Sequence, residues 1–375
     1  MTDLDLPHVT AAPNQTATQP APQASGDDEV GEILRSARAA AGEGEIDLAL
    51  IEYGRALRRT PRGHRARAAA ANDVGALRFT HGRPDLALPF LKAAVEAAPD
   101  DEVLRGNLEH VRSQPAAAAP KPAVDDPGGA ASVGDWVLQA LSNCEKLIGF
   151  QGRHVLEIGG ELPRLAAQRL RPASWTSVDP AAEPVDLPRH RALNARAEDV
   201  PFDDATFDLA FSCCAFEHVD DLDGVIAETR RVLRPGGVLF AEFSPIWSSA
   251  TGNHVWLAGP GGGPPTLTFE DGVLPRWAHL IWEPEDLAAF VEPSHGPEEA
   301  RRAANNVYEH WHLNRLFEDD YLRAFHDSGL VIERLQPHGA TQKPTPKLAE
   351  RLRAANPGRE HFSSAGFLLV ARKPR

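Results

Sequence analysis

Residues 197–240 read AEDVPFDDATFDLAFSCCAFEHVDDLDGVIAETRRVLRPGGVLF, and their punctuation decides the fold. Phe207–Ser212 (FDLAFS) is an apolar run of strand length. Leu222–Leu233 places its apolar residues at helical spacing, and Arg234-Pro235-Gly236-Gly237 stops that helix in a turn that needs glycine. Val238–Phe243 is a second apolar run.

The same logic extends upstream. His154–Ile158 (HVLEI) is a β-branched apolar run ending in Gly159-Gly160, and a helix-compatible stretch, Pro163–Leu170, follows. Strand, glycine turn and helix open a nucleotide-binding βαβ unit. Twenty residues past Gly159, WTSVD ends a second strand in Asp179, which can accept hydrogen bonds from a ribose diol. These residues fit either a nicotinamide dinucleotide or S-adenosylmethionine. The turn has no third glycine, and Glu161 stands where a diphosphate would be repelled. A cationic sulfonium tolerates Glu157 and Glu161, while free backbone N–H groups of the turn can still hold the carboxylate of the donor.

Taken together, residues 150–243 resemble class I S-adenosylmethionine-dependent methyltransferases of the small-molecule, type 11-like kind. The resemblance implies a doubly wound, Rossmann-like α/β fold with a seven-stranded, mostly parallel sheet, and S-adenosylmethionine as cosubstrate. It implies that Glu157, Gly159 and Gly160 surround the methionine end and that Asp179 meets the ribose. It places Glu198 and Asp199 near the adenine amine, and Ser212, at the end of the fourth strand, beside the methyl group. Glu161 departs from the family's acidic-x-Gly-x-Gly turn at its last position. A nicotinamide-dependent oxidoreductase on the same sheet is the rival from another class, disfavoured by Glu161 and by the 197–240 segment. A non-catalytic assembly scaffold is a third reading.

Ligands of such sheets gather at the carboxyl ends of the strands, so the insertion 244–315 after strand five should roof the cleft. It contains Trp247, Trp256, Trp277, Trp282 and Trp311, five of the chain's seven tryptophans, with His254, His279, His295, His310 and His312. Aromatic faces can stack on sugar rings and exclude water. FSPIWSSATGNH (243–254) and PRWAHL (275–280), with Asn314–Phe317, resemble methyltransferases of bacterial polysaccharide and glycoconjugate biosynthesis, which implies a glycan or small-molecule acceptor and O-methylation. A sugar hydroxyl needs a base as the bond to carbon forms. His218, just after strand four, and His254 and His279, in the roof, are the base candidates. Their spacing is not that of a metal site, and none is expected. Glu318–Ser328 reads as an amphipathic helix, Leu330–Leu335 and Phe367–Arg372 as a closing antiparallel hairpin, and His338–Arg359 as a loop or short helix over the cleft.

An N-terminal all-α module precedes this domain. GEIDLALIEYGRALRRTP (44–61) aligns with GRPDLALPFLKAAVEAAPD (82–100) at an offset of 38 residues. Ala49, Tyr53, Ala56 and Pro61 in the first copy match Ala87, Leu91, Ala94 and Pro99 in the second. Small residues at helical spacing allow close helix approach, and proline ends the second helix. The pattern resembles a tetratricopeptide repeat pair, capped by a helix over Asp101–Ser113; it reads either as a helical bundle that packs on its neighbour or as a concave surface for a protein partner or for self-association. A peptide or protein acceptor recruited by that module is therefore the alternative within the methyltransferase class. The expected organisation is a disordered tail at 1–28, repeats at 29–114, a Pro/Ala-rich linker at 115–131 and the methyltransferase domain at 132–375.

Composition excludes other classes. The 375 residues carry a formal net charge of -14, which disfavours nucleic acid and anionic membranes as partners. Cys144, Cys213 and Cys214 cannot build a disulfide framework. No apolar run has the length of a membrane span, and no signal-peptide pattern is present, so a cytoplasmic location is expected.

Overall fold

The computed structural model describes residues 26–114, 134–160, 162, 164–309 and 313–375. The expectations for the tail up to residue 25, the linker at 115–131, Glu161, Pro163, His310, Trp311 and His312 lie outside the described residues.

The N-terminal module consists of α1 (Gly26–Gly42), α2 (Ile46–Arg59), α3 (Arg65–Thr80), α4 (Pro84–Ala97) and α5 (Glu102–Ser113). Each small–large–small set is buried: Ala49, Tyr53 and Ala56 on α2, and Ala87, Leu91 and Ala94 on α4. Gly75 on α3 shows why small residues recur, since a Cβ there would lie 2.6 Å from Leu91 Cγ. Asp101 caps α5 by accepting from the N–H groups of Val103 and Leu104. Ala98-Pro99 ends α4 as the repeat pattern predicts.

After α6 (Asp135–Leu147) comes the central sheet, with the short helix α7 (Arg164–Arg169) following its first strand. Its strands are β1 (His154–Ile158), β2 (Ser174–Asp179), β3 (Val185–Leu187), β4 (His190–Asn194), β5 (Phe207–Cys213), β6 (Leu233–Phe243), β7 (Val331–His338) and β8 (Gly366–Arg372). They lie in the order β3-β4-β2-β1-β5-β6-β8-β7. Strands β4, β2, β1, β5 and β6 pair in parallel. The closing hairpin is antiparallel, with Leu369 opposite Leu335.

The sheet has eight strands where seven were expected. The extra one is β3, which folds back antiparallel onto β4 through a two-residue turn, with Leu187 opposite His190. Arg189 in that turn adopts φ 66 after Pro188, the pairing of proline with a left-handed residue that a type II turn uses.

The strands are buried on both faces. Leu156, Ile158, Ala210 and Leu239 pack towards α8 (Leu222–Val232) and α10 (Glu318–Asp327), together with Tyr321 and Phe325. Val155, Trp175, Leu209, Phe211 and Phe240 face the other way, towards Ala140, Leu141 and Cys144 of α6. Alternation along each strand divides the two sets. Chain order runs outward from β1 to β2 and β4, then jumps back to β5, so the crevice of the doubly wound sheet opens at the ends of β1 and β5.

The insertion after β6 carries a short ladder, Trp256–Leu257 with Leu267–Thr268, and the helix α9 (Pro284–Tyr308), bent at Gly296 with φ 79. It shares one apolar core with the N-terminal module, in which Leu50, Ile51, Ala71, Val74 and Phe90 meet Trp277, Trp282, Leu287 and Phe290. Polar contacts fix the junction: Arg78 donates to the carbonyls of Gly272 (3.0 Å) and Val273 (2.7 Å), and the Arg276 N–H donates to Asp47 (3.1 Å). The module is thus packed onto the insertion. Trp247, Trp277 and Trp282 are buried in this region, and Trp277 donates to the Phe362 carbonyl. These tryptophans make core, contrary to the sequence expectation of a stacking roof; Trp256 is half exposed. The polar segment after β7 holds a helix, α11 (Pro346–Ala355), started by the Thr345 hydroxyl accepting from the Leu348 N–H. No helix of the described residues is long and apolar enough to cross a membrane.

Candidate active site at the crest of the sheet

The end of β1 turns sharply at Gly159, whose φ of 73 suits glycine and whose N–H donates to the Val178 carbonyl (2.9 Å). The space where its Cβ would project is taken by Ala215, since that atom would sit 2.1 Å from Ala215 Cβ. A Cβ at Gly160 would lie 2.8 Å from Glu157 Oε1. The turn is therefore compressed between the loop after β5 and the carboxylate that precedes it. Glycine at both positions keeps side chains off this part of the turn, the arrangement that lets a ligand approach main-chain N–H groups.

Glu157 is 5 % exposed and anchors that turn. Its Oε2 accepts from the Leu162 N–H (3.1 Å), the Trp175 indole N–H (2.8 Å) and the Ser177 hydroxyl (2.5 Å). Three donors on one oxygen satisfy the carboxylate in its buried position. Ser212, also buried, donates to the Ile158 carbonyl (3.1 Å) and ties β5 to the root of the turn. Both residues act on the turn's shape.

Asp179 ends β2, where one carboxylate oxygen accepts from the Ala181 N–H (2.7 Å) and the other makes no hydrogen bond among the described residues. It can cap its own turn and still offer an oxygen to a diol. Glu198 is held by Arg196 through one oxygen (2.9 Å from Nε), and Arg196 also reaches Asp220 (2.8 Å). Asp199 is exposed. The acidic pair thus sits beside an arginine bridge that links the loops after β4 and β5.

Of the three histidines singled out in the sequence, two are brought together. The rings of His218 and His254 lie 5.1 Å apart between centroids, and His254, at φ 50, also abuts the edge of Phe269. His279 is corrected: it is buried at 3 % exposure, with Nε2 bonded to the Trp247 carbonyl (2.7 Å) and its ring against the Trp247 indole. Burial lowers its pKa to about 4, so it stays neutral as a core residue. Its place between Trp277 and Leu280, both buried, accounts for this.

Two carboxylates of the crest stand outside the predicted site residues. Glu217, beside His218, is 1 % exposed, and neither of its oxygens has a hydrogen-bond partner among the described residues. Its nearer oxygen is 4.0 Å from His218 Nε2, and burial, helped by Cys214, holds its carboxyl well above the ordinary range. Glu242, at the end of β6, accepts from Asn143 Nδ2 (2.9 Å) and lies 3.3 Å from His338 Nδ1. A lone carboxylate inside the apolar run VLFAEF was the signal that could have found it. Among the described residues no group of three His, Cys, Asp or Glu side chains is placed to hold a metal ion.

Comparison with known proteins bears on this crest. A methyltransferase domain family matches residues 157–241, from Glu157 in β1 to Ala241 in β6. The chain is 46% identical over 106 residues to a ubiquinone/menaquinone biosynthesis C-methyltransferase of Idiomarina loihiensis, covering 28% of this chain and 38% of that protein. It is 29% identical over 157 residues to a phthiotriol/phenolphthiotriol dimycocerosates methyltransferase of Mycobacterium leprae, covering 39% of this chain and 55% of the relative. A fatty-acid O-methyltransferase of Mycolicibacterium smegmatis matches at 31% over 106 residues, 25% of this chain and 39% of its own. The chain thus spans about half or less of the curated relatives' length. A solved S-adenosylmethionine-dependent methyltransferase from Mesorhizobium loti superposes with a TM-score of 0.35 at 18% identity, covering 62% of this chain and 96% of that one.

Proposed function

We propose that this chain, whose residues 157–241 form a class I S-adenosylmethionine-dependent methyltransferase domain, transfers the donor's methyl group to an oxygen of a saccharide, glycoconjugate or related small metabolite. The observation that carries the reading is the compressed turn at Gly159, at the switch point of the sheet, with Asp179 ending the neighbouring strand. When bound there, the donor supplies an electrophilic methyl on a sulfonium. The Gly159-Gly160 backbone would hold its amino-acid end, and the free oxygen of Asp179 its ribose diol. Glu198 and Asp199 would border the adenine.

The chain's own chemistry is positioning and proton transfer. Methyl transfer gains most from holding donor and acceptor aligned. A hydroxyl acceptor must lose a proton as its oxygen attacks, and an imidazole near neutrality suits that task. His218 and His254, ring against ring beside the β5 loop, are the groups to receive it. The relatives' names include both a C-methyltransferase and a fatty-acid O-methyltransferase, so the oxygen acceptor rests on these histidines and on the likeness of the roof sequence.

A peptide acceptor recruited by the repeats is less well supported. α2 and α4 already hold the chain's own α9 and Trp282. Calorimetric titration of the full chain with S-adenosylhomocysteine, then labelled methyl transfer into cell-extract fractions sorted by polarity, tests the proposal. Binding with label in polar, non-protein fractions supports it; no uptake of the homocysteine product removes it.

A further inference from the structure

Cys213 and Cys214 are adjacent at the end of β5, yet their sulfurs lie only 3.8 Å apart. In an extended strand successive side chains point to opposite faces. Here Cys214 leaves the strand with φ 49, a left-handed conformation unusual outside glycine, and its side chain swings back beside its neighbour. Both residues are partly accessible, whereas Cys144 is fully buried. The S–H of Cys213 shared with Cys214 lowers the pKa of Cys214 and raises that of Cys213. One sulfur is thus prepared to act as nucleophile and the other to follow.

From this geometry we infer that Cys213 and Cys214 are a two-electron modification site, closed to a vicinal disulfide by a small-molecule disulfide oxidant, which disables the donor pocket. The functional consequence rests on the donor-binding reading above. The Cys214 thiolate attacks one sulfur of the oxidant, forming a mixed disulfide and releasing one thiol. Cys213 then loses its proton and displaces the second thiol, so two S–H groups are oxidised to one S–S bond and the oxidant is reduced to two thiols.

Ring closure draws the sulfurs from 3.8 Å to about 2 Å and moves the Cys214 backbone. The next residue, Ala215, is the one seated over Gly159 without spare room. A shift there therefore enters the glycine turn directly. On the other side, Cys214 N–H is bonded to the Glu242 carbonyl (2.9 Å), which leaves the displacement little freedom to dissipate through β6.

The test uses the full chain, reduced or treated with oxidised glutathione. Peptide mass spectrometry should show a 213–214 peptide lighter by two hydrogens, with Cys144 unmodified. S-adenosylhomocysteine affinity should fall at least about tenfold and recover with dithiothreitol. Cys213→Ser and Cys214→Ser should each abolish the mass change. Failure of the intramolecular bond to form in the wild-type chain overturns the proposal, as does an oxidised form that binds the ligand unchanged. If the reduced chain takes up no ligand, the functional reading falls. Hydrogen exchange at residues 157–162 then judges the thiol pair alone, where faster exchange on oxidation sustains it and identical exchange rejects it.

Discussion

The indole N–H of Trp282 in the insertion donates to the carbonyl of Ile51 in α2 at 2.9 Å, and its ring fills the space over Gly54. A Cβ at Gly54 would lie 2.3 Å from that ring, so the contact depends on a bare backbone in a helix that would otherwise favour alanine. The N-terminal module and the insertion therefore share a core and should unfold together.

Trp282→Ala should lower stability by about 3–5 kcal/mol, the range for removing a large buried aromatic. Gly54→Val should also destabilise, through overpacking. In urea monitored by fluorescence and circular dichroism, both variants should shift one transition that reports module and insertion alike. Separate transitions, with only one displaced, would show that the two parts fold independently. Deleting residues 1–130 should likewise leave the apolar face of α9 uncovered and the product prone to aggregate.

Asp179→Ala should weaken S-adenosylhomocysteine binding at least about tenfold, the scale of a lost charge-assisted hydrogen bond. Only one of its oxygens is used locally, by the Ala181 N–H. Asp179→Asn keeps that local acceptor and separates the two roles: it should recover turn stability but not full affinity. Unchanged affinity in calorimetry for both variants would take Asp179 out of the pocket.

Gly159→Ala should be worse than either, because it combines φ 73 with a Cβ 2.1 Å from Ala215. A loss of ligand binding with a folded circular dichroism spectrum is the expected outcome. Binding at wild-type strength would mean that the turn relaxes and does not shape the site.

Strands β1, β2, β5 and β6 were legible because each holds a short apolar run, ended by glycine at β1 and by aspartate at β2, whereas β4 (HRALN) has no such run. The β3 edge was not, since three residues with an exposed pattern carry no period. Residue type misled at the roof. Tryptophan and histidine suit a binding cleft and a domain junction equally well, and only packing shows that Trp277, Trp282 and His279 belong to the junction. Glu242 had a signal, a lone carboxylate in an apolar run, whereas Glu217 stands in the mixed stretch AFEHVDD, where nothing in the sequence tells which carboxylate folding will bury.

His218→Ala and His254→Ala should leave S-adenosylhomocysteine affinity within about twofold, while whichever imidazole takes the acceptor's proton should lose turnover by about 10²–10⁴-fold. Their rings touch, so the double variant should lose no more than the worse single one if they act as a unit. Single-turnover rates with saturating donor would read this directly. Full rate in both single variants would end the general-base proposal.

His279 predicts a pH signature of stability. Its folded pKa, about 4, lies below the ordinary histidine value because burial disfavours the charged ring. The unfolded chain therefore binds the proton more readily, and the contribution of neutral His279 is complete above about pH 6.5. It should be lost progressively as pH falls from there towards 4, by up to roughly 3 kcal/mol, and then level off. His279→Gln removes the titrating group while retaining a side-chain donor for the Trp247 carbonyl, so its unfolding free energy should fall less steeply across that window. Equal slopes for wild type and variant, measured by urea unfolding at half-unit steps, would show that His279 is not held neutral by burial.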